Sequence, residues 1–135
     1  HFSGIRTFME SMKKFALEKG YVETELGRRR FLPEIASDNR QVAASAERMA
    51  INMPVQGLEA DIVKLAMIAV DTCIRDRFAG KSSLLLQIHD ELIFEVEESI
   101  APVFAHEVKA VMESVYPLQV PLVADVSIGK NWGEI

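Results

Sequence analysis

Apolar residues Phe2, Ile5, Phe8, Met9, Met12, Phe15 and Ala16 recur at three- and four-residue spacing. That period predicts an amphipathic helix, and Gly20, directly after Lys19, predicts its end. Tyr21 to Leu26 reads as a short strand. Gly27 supplies a turn, and "RRRFL" forms the return strand, ended by Pro33. Ser37, Asp38 or Asn39 can cap a helix from about Arg40 to Met53, which is rich in Ala and other good helix formers. Pro54 predicts a break or kink there, with Gly57 near the junction. A further helix is predicted from about Leu58 to Phe78, with Ile62, Leu65, Ala66, Ala69 and Cys73 as its apolar stripe. Glu59 and Asp61 suit its first turn, and Gly80 stops it.

The pattern then shortens. "SLLLQI" and "LIFEV" are both strand-like, with His89, Asp90 and Glu91 between them. As one strand they would span about fourteen residues, against a usual ~5–6. Two strands joined by a tight turn at His89–Glu91 is the better reading. Ser99 is the predicted cap of a helix running through Tyr116, with Pro102 in its first turn. Val103, Phe104, Val108, Val111, Met112 and Val115 are its predicted buried side. "LVADVSI" reads as a last strand, and Trp132 is expected to pack back from the tail. Strand, strand, helix, strand predicts an α+β fold: a small antiparallel sheet with helices on one face, preceded by a helix and an Arg-rich hairpin.

Composition changes this picture little. With 135 residues, 49% hydrophobic and 26% charged, the chain suits one domain with a modest core. No run is long enough to span a membrane, and no secretory signal pattern opens the sequence. Cys73 is the single cysteine, so there is no disulfide pair and no cysteine metal cluster; a reducing, intracellular setting fits. Charge is informative only by position. Residues 1–48 hold nine Lys/Arg and seven Asp/Glu, a balance of +2, whereas residues 49–135 hold six and thirteen, a balance of −7. One half can face a polyanion while the other gathers cations. Ordinary surface variation explains the same numbers.

Three segments carry candidate chemistry. A turn lifts His89, Asp90 and Glu91 out of a sheet surface, and adjacent carboxylates on a rigid turn suit a hard cation such as Mg²⁺. The bland alternative is a polar turn, although this one lacks the Asn-Gly or Asp-Gly of easy hairpins. In "ERMAINMPVQG", Arg48, Asn52 and Gln56 are spaced four apart, which on a helix places a guanidinium and two carboxamides in one row. Such a row can meet the acceptors of a nucleic-acid minor groove without reading sequence; the alternative is a solvated helix face. Pro54 interrupts the row and leaves the direction of Gln56 open. In "GRRRFLPEI", strand alternation sends Arg28 and Arg30 to one side and Arg29 to the other. Arginine suits phosphate, but at least one is expected to be structural, paired for example with Glu23 or Glu25 across the hairpin. His106 reads as a surface residue. There is no Gly-rich phosphate loop and no Ser or Cys nucleophile motif.

Taken in order, "GYVETELGRRRFLPEI", "AERMAINMPVQGLEADIVKLAM", "QIHDELIFEV" and "YPLQVPLVADVSIGKNWGEI" resemble the C-terminal part of family A DNA polymerases, and the resemblance covers essentially the whole chain. It implies a role for each matched position. Asp90 matches the palm aspartate that binds catalytic Mg²⁺, Glu91 its supporting acidic neighbour, and His89 the histidine beside the primer terminus. Arg48, Asn52 and Gln56 match residues on the primer–template minor groove. Arg28, Arg29 and Arg30 match a DNA-backbone contact.

The same resemblance implies template-directed DNA synthesis by two-metal nucleotidyl transfer from a dNTP. It implies primer–template DNA and dNTP as partners, no membrane, and a cytoplasmic, nucleoid-associated setting in a bacterium or phage. Nothing in the chain matches the family's second metal-binding aspartate or its nucleotide-holding fingers helix. The chain therefore reads as the last part of the fingers (1–57) and the back half of the palm (58–135). It is expected to act with the upstream part of the same polymerase and to be inactive alone, with apolar faces of its first helix and sheet uncovered. A non-catalytic duplex-DNA-binding module, an acid/base hydrolase using Asp90 and Glu91, and a plain structural domain are the competing readings.

Overall fold

The computed structural model describes residues 2–134. Its elements are α1 (Ser3–Lys19), β1 (Tyr21–Glu23), β2 (Arg29–Phe31), α2 (Arg40–Arg77), β3 (Ser82–Ile88), β4 (Glu91–Val96) and α3 (Ala101–Ser114), with short 3₁₀ turns at Pro33–Ala36, Glu98–Ile100 and Trp132–Glu134. The strands form two separate antiparallel pairs, β1–β2 and β3–β4, so the fold is α+β. Two compact units divide between Asp61 and Ile62.

In the first unit, α1 ends where the sequence predicts. Gly20 takes φ +76° and its N–H donates to the Ala16 carbonyl at 2.8 Å. A residue with a Cβ adopts that conformation only at a cost. The chain turns straight into β1, whose register sets Tyr21 opposite Phe31, Val22 opposite Arg30 and Glu23 opposite Arg29. Between the strands, the N–H of Gly27 donates to the Thr24 carbonyl and that of Arg28 to Thr24 Oγ1. The first strand thus stops at Glu23, short of Leu26, because Thr24 folds the backbone into the turn. Ala16, Val22, Leu32 and Ala50 form the buried core, with Phe15, Ile35, Met49 and Met53 packed around it. Phe15 meets Tyr21 edge-on at 5.7 Å. Asn39 is the cap of α2: its Oδ1 accepts from the Gln41 N–H at 3.0 Å.

The second unit builds its core from Val70, Phe78, Phe104 and Val108. Phe104 receives both Phe78 and Phe94, at 5.2 and 5.3 Å and steeply tilted, the favoured edge-on arrangement of aromatic rings. Cys73 packs at the margin of this cluster. An ion pair from Arg77 to Glu107 ties α2 to α3. In β3 the register with β4 shifts between Leu84 and Leu86, a bulge on the way to the His89 turn.

Five expectations are corrected. Pro54 does not divide α2, which runs unbroken from Arg40 to Arg77. A proline removes one backbone hydrogen bond and crowds the preceding turn, but here Ala46 and Ala50 are fully buried just before it, and that packing carries the helix through. The predicted last strand is absent from both sheets. Val120, Val123, Val126 and Ile128 lie exposed: alternation shows that a segment wants cover but does not supply the strand edge that makes a ladder. Trp132 is 56% exposed and does not pack back. Ser99 does not cap α3; its hydroxyl meets Glu97, and a 3₁₀ turn leads into Ala101. On α3, Phe104 and Val108 are buried, while Val103 is exposed.

As the sequence suggests, several apolar side chains of α1 and β3 remain open, among them Ile5, Leu17, Leu85 and Leu86, together with Phe2 just before α1. Among the described residues, no helix is long and apolar enough to cross a membrane.

Candidate nucleic-acid interface and acidic turn

Two features gather the residues singled out in the sequence, one in each unit. In the first unit, Arg48, Asn52 and Gln56 lie on one exposed side of α2. The uninterrupted helix settles the direction of Gln56, because a helical turn on either side of Pro54 keeps the three in one row. The arginine hairpin forms the facing wall. Arg28, Arg29 and Arg30 join Arg48, Asn52 and Gln56 around an open cleft of about 730 Å³. Its floor includes Met49, Met53 and Gly57.

The three hairpin arginines are not equivalent. Arg29 pairs with Glu23, its opposite number in the register, and its guanidinium stacks 4.7 Å from the Tyr21 ring centre. Arg28 turns toward α2 and grips Asp61: Nε donates to both carboxylate oxygens, at 3.0 and 3.1 Å, and Nη2 also donates to Oδ1. The Asp61 carboxylate, first by this hydrogen bonding and then by its charge, raises the pKa of Arg28 further above its ordinary range; Glu23 does the same for Arg29. Arg30 donates to Met49 Sδ at 3.1 Å. Among the described residues, Arg30 and Arg48 pair with no carboxylate. Arg28 and Arg30 thus bond to residues of α2, whereas Arg29 bonds within the hairpin.

Sequence reasoning missed two residues here. Asp61 reads as a helix-start carboxylate, yet it is 9% exposed and lies 33 positions from its partner. Gly57 reads as a junction glycine, yet it is a point of contact. A Cβ there would stand 2.7 Å from Thr24 Cγ2. The signal available in the sequence was weak: one acidic and one small residue on the helix, at offsets that place them beside the row.

In the second unit, β3 and β4 are joined by a two-residue turn, with Ile88 paired to Glu91. His89 sits at φ +52°, a left-handed conformation uncommon outside glycine and costly to the backbone. The Gln87 side chain donates to the His89 carbonyl and braces the turn. His89, Asp90 and Glu91 are all exposed. Among the described residues, no three His, Cys, Asp or Glu side chains are grouped to hold a metal ion. Two adjacent carboxylates do fit the sparse protein donor set of Mg²⁺, which takes phosphate and water oxygens for the rest of its octahedron. His106 is exposed on α3.

Comparison with known proteins shows the family. The sequence matches the model of DNA polymerase family A over residues 1–134. A DNA polymerase I of Mycobacterium leprae is 46% identical over 132 residues, covering 98% of this chain and 14% of the relative. The thermostable DNA polymerase I of Thermus filiformis is 46% identical over 133 residues, covering 98% of this chain and 16% of that protein. A solved structure, the POL domain of Pol1 from M. smegmatis in complex with DNA primer-template and dNTP, superposes with a TM-score of 0.84 at 49% identity, over 90% of this chain and 21% of the other. The chain therefore spans a small part of the length of the relatives it matches. It belongs to DNA polymerase family A.

Proposed function

We propose that this chain is part of a template-directed DNA polymerase and supplies it with a duplex-contacting cleft and part of the catalytic metal site. The observation that carries the reading is the convergence of Arg48, Asn52 and Gln56 with the arginine hairpin on one cleft, in a member of this polymerase family. The residues up to about 57 belong to the fingers side and those from 58 to the palm. The carboxamides of Asn52 and Gln56 both donate and accept hydrogen bonds. They can meet minor-groove acceptors, present at every base pair, without selecting a sequence. Arg48 adds charge to the same row, and Arg30 offers phosphate a guanidinium that, among the described residues, no carboxylate neutralises.

At the acidic turn, Asp90 is the metal ligand, Glu91 supports it, and His89 lies beside the primer terminus. Mg²⁺ bound there would stabilise charge on the transferring phosphoryl group. The chain's own part is rigid presentation: two paired strands hold Asp90 in place, and the Gln87 brace limits movement of the turn. A second carboxylate, outside this chain, completes the site, so the partners are primer–template DNA, dNTP and the upstream part of the same polymerase.

Asp90→Ala in the full-length polymerase tests the reading. Single-turnover incorporation should be lost while the affinity for primer–template stays close to wild type. Near-normal incorporation would remove Asp90 from the metal site.

A further inference from the structure

The cleft depends on how the hairpin is held against α2; besides the shared core and the Arg30–Met49 contact, two contacts meet the helix at Gly57 and Asp61. Gly57 lets the Thr24 methyl approach to a distance that no side chain would permit, 2.7 Å from the position of a Cβ. One helical turn further on, Asp61 takes Arg28 in a forked grip through both carboxylate oxygens. Asp61 is largely buried, its side chain 12% exposed, whereas that of Arg28 is 48% exposed. The anchor is therefore fixed in the helix, and the hairpin is fastened to it. Arg29 is occupied by Glu23 and Tyr21, which stiffens the hairpin itself. Two of the three arginines that suggest a phosphate contact are thus engaged by carboxylates of the same chain.

We propose that Asp61 is a positioning residue for the cleft: with the Gly57 notch, its grip on Arg28 sets the separation between the hairpin wall and the Arg48, Asn52 and Gln56 row. This rests on the reading of the cleft as a duplex contact. It makes a prediction opposite to simple electrostatics. Replacing Asp61 by Asn removes a negative charge beside the cleft and releases Arg28. Charge alone then demands tighter binding of a polyanion and a steeper salt dependence, by up to about 0.9 in the log–log slope for one added phosphate contact. Loss of positioning demands weaker binding instead.

The test uses the full-length polymerase carrying this segment and a primer–template duplex, titrated across a range of salt, with kcat and KM for DNA measured alongside. Asp61→Asn should weaken duplex binding about 5- to 30-fold, the effect of losing one or two well-made contacts. It should raise KM for DNA more than it lowers kcat at saturating DNA. Gly57→Ala displaces the hairpin with no change of charge and should weaken binding at an unaltered salt slope. The exchange Asp61→Arg with Arg28→Asp should restore part of the loss seen in Asp61→Arg alone. Tighter binding by Asp61→Asn, or wild-type binding by a folded Gly57→Ala variant, overturns the proposal. Should Asp61→Asn fail to fold, Gly57→Ala and the exchange decide alone. Arg48→Ala serves as the control on the underlying reading: if it too leaves duplex binding unchanged, the cleft is not the DNA contact, whereas a loss there with none at Asp61 or Gly57 sinks the positioning role alone.

Discussion

His89 shows how much one residue's backbone can say. Its φ of +52° lies where a Cβ meets the neighbouring carbonyl, and the turn must supply the cost. Glycine would remove the clash, and a β-branched residue would worsen it. His89→Gly should therefore leave stability within about 1 kcal/mol of wild type, while His89→Val should cost about 1–2 kcal/mol. Both variants lack the imidazole, so both should lose incorporation to the same degree. Thermal melts set beside single-turnover rates separate the two effects; a Val variant as stable as the Gly variant would mean the turn does not hold this conformation in solution. The sequence made the turn legible, because two apolar runs with three ionisable residues between them are too long for one strand, although Glu91 belongs to β4 and the turn itself is only His89 and Asp90. It did not reveal the strain, because the usual sign of such a turn, Asn-Gly or Asp-Gly, is absent.

At the scale of elements, α2 is the most instructive. A proline in a helical pattern reads as a break or a kink, and the break is overturned by packing, which the lost hydrogen bond alone leaves out. Burial of Ala46 and Ala50 on one side and of Ile62, Ala66 and Val70 on the other outweighs a defect of about 3 kcal/mol. Removing the defect should then show as stability. Pro54→Ala should raise the unfolding free energy by about 1–3 kcal/mol, read from denaturant midpoints; unchanged or lowered stability would mean that Pro54 makes packing contacts worth as much as the bond it deletes. Gln56 shares the same helix but not the same role. As an exposed side chain of the row it should add little to folding. Gln56→Ala should cost about 1 kcal/mol of primer–template binding, the worth of one hydrogen bond, with melting unchanged. A fall in melting temperature matching the loss of binding would return Gln56 to a structural role. Periodicity exposed the row, since a helix repeats locally. The Arg28–Asp61 grip was not legible, because its partners meet only after the chain has folded back over 33 residues. The same limit explains the last strand: residues 122–128 alternate as a strand should, but pairing belongs to the edge beside it.

For the molecule as a whole, the acidic turn and the open apolar surfaces point the same way. Two adjacent carboxylates cannot clamp both the attacking and the leaving oxygen of an in-line phosphoryl transfer, a geometry that calls for two metal ions held about 3.5–4 Å apart. Among the described residues, no third His, Cys, Asp or Glu side chain groups with Asp90 and Glu91 to hold a metal ion. Phe2, Ile5, Leu85, Leu86, Val120 and Val123 meanwhile leave apolar surface open that water disfavours. The 135-residue polypeptide on its own should thus bind duplex DNA weakly and in a salt-dependent way, yet add no nucleotide to a primer supplied with Mg²⁺ and dNTPs. Primer extension on a sequencing gel, run beside the full-length polymerase and its Asp90→Ala variant, measures this directly. Extension by the isolated polypeptide above the Asp90→Ala background would show that the metal site is complete within it, and that the division of the site between this segment and the remainder of the polymerase is wrong.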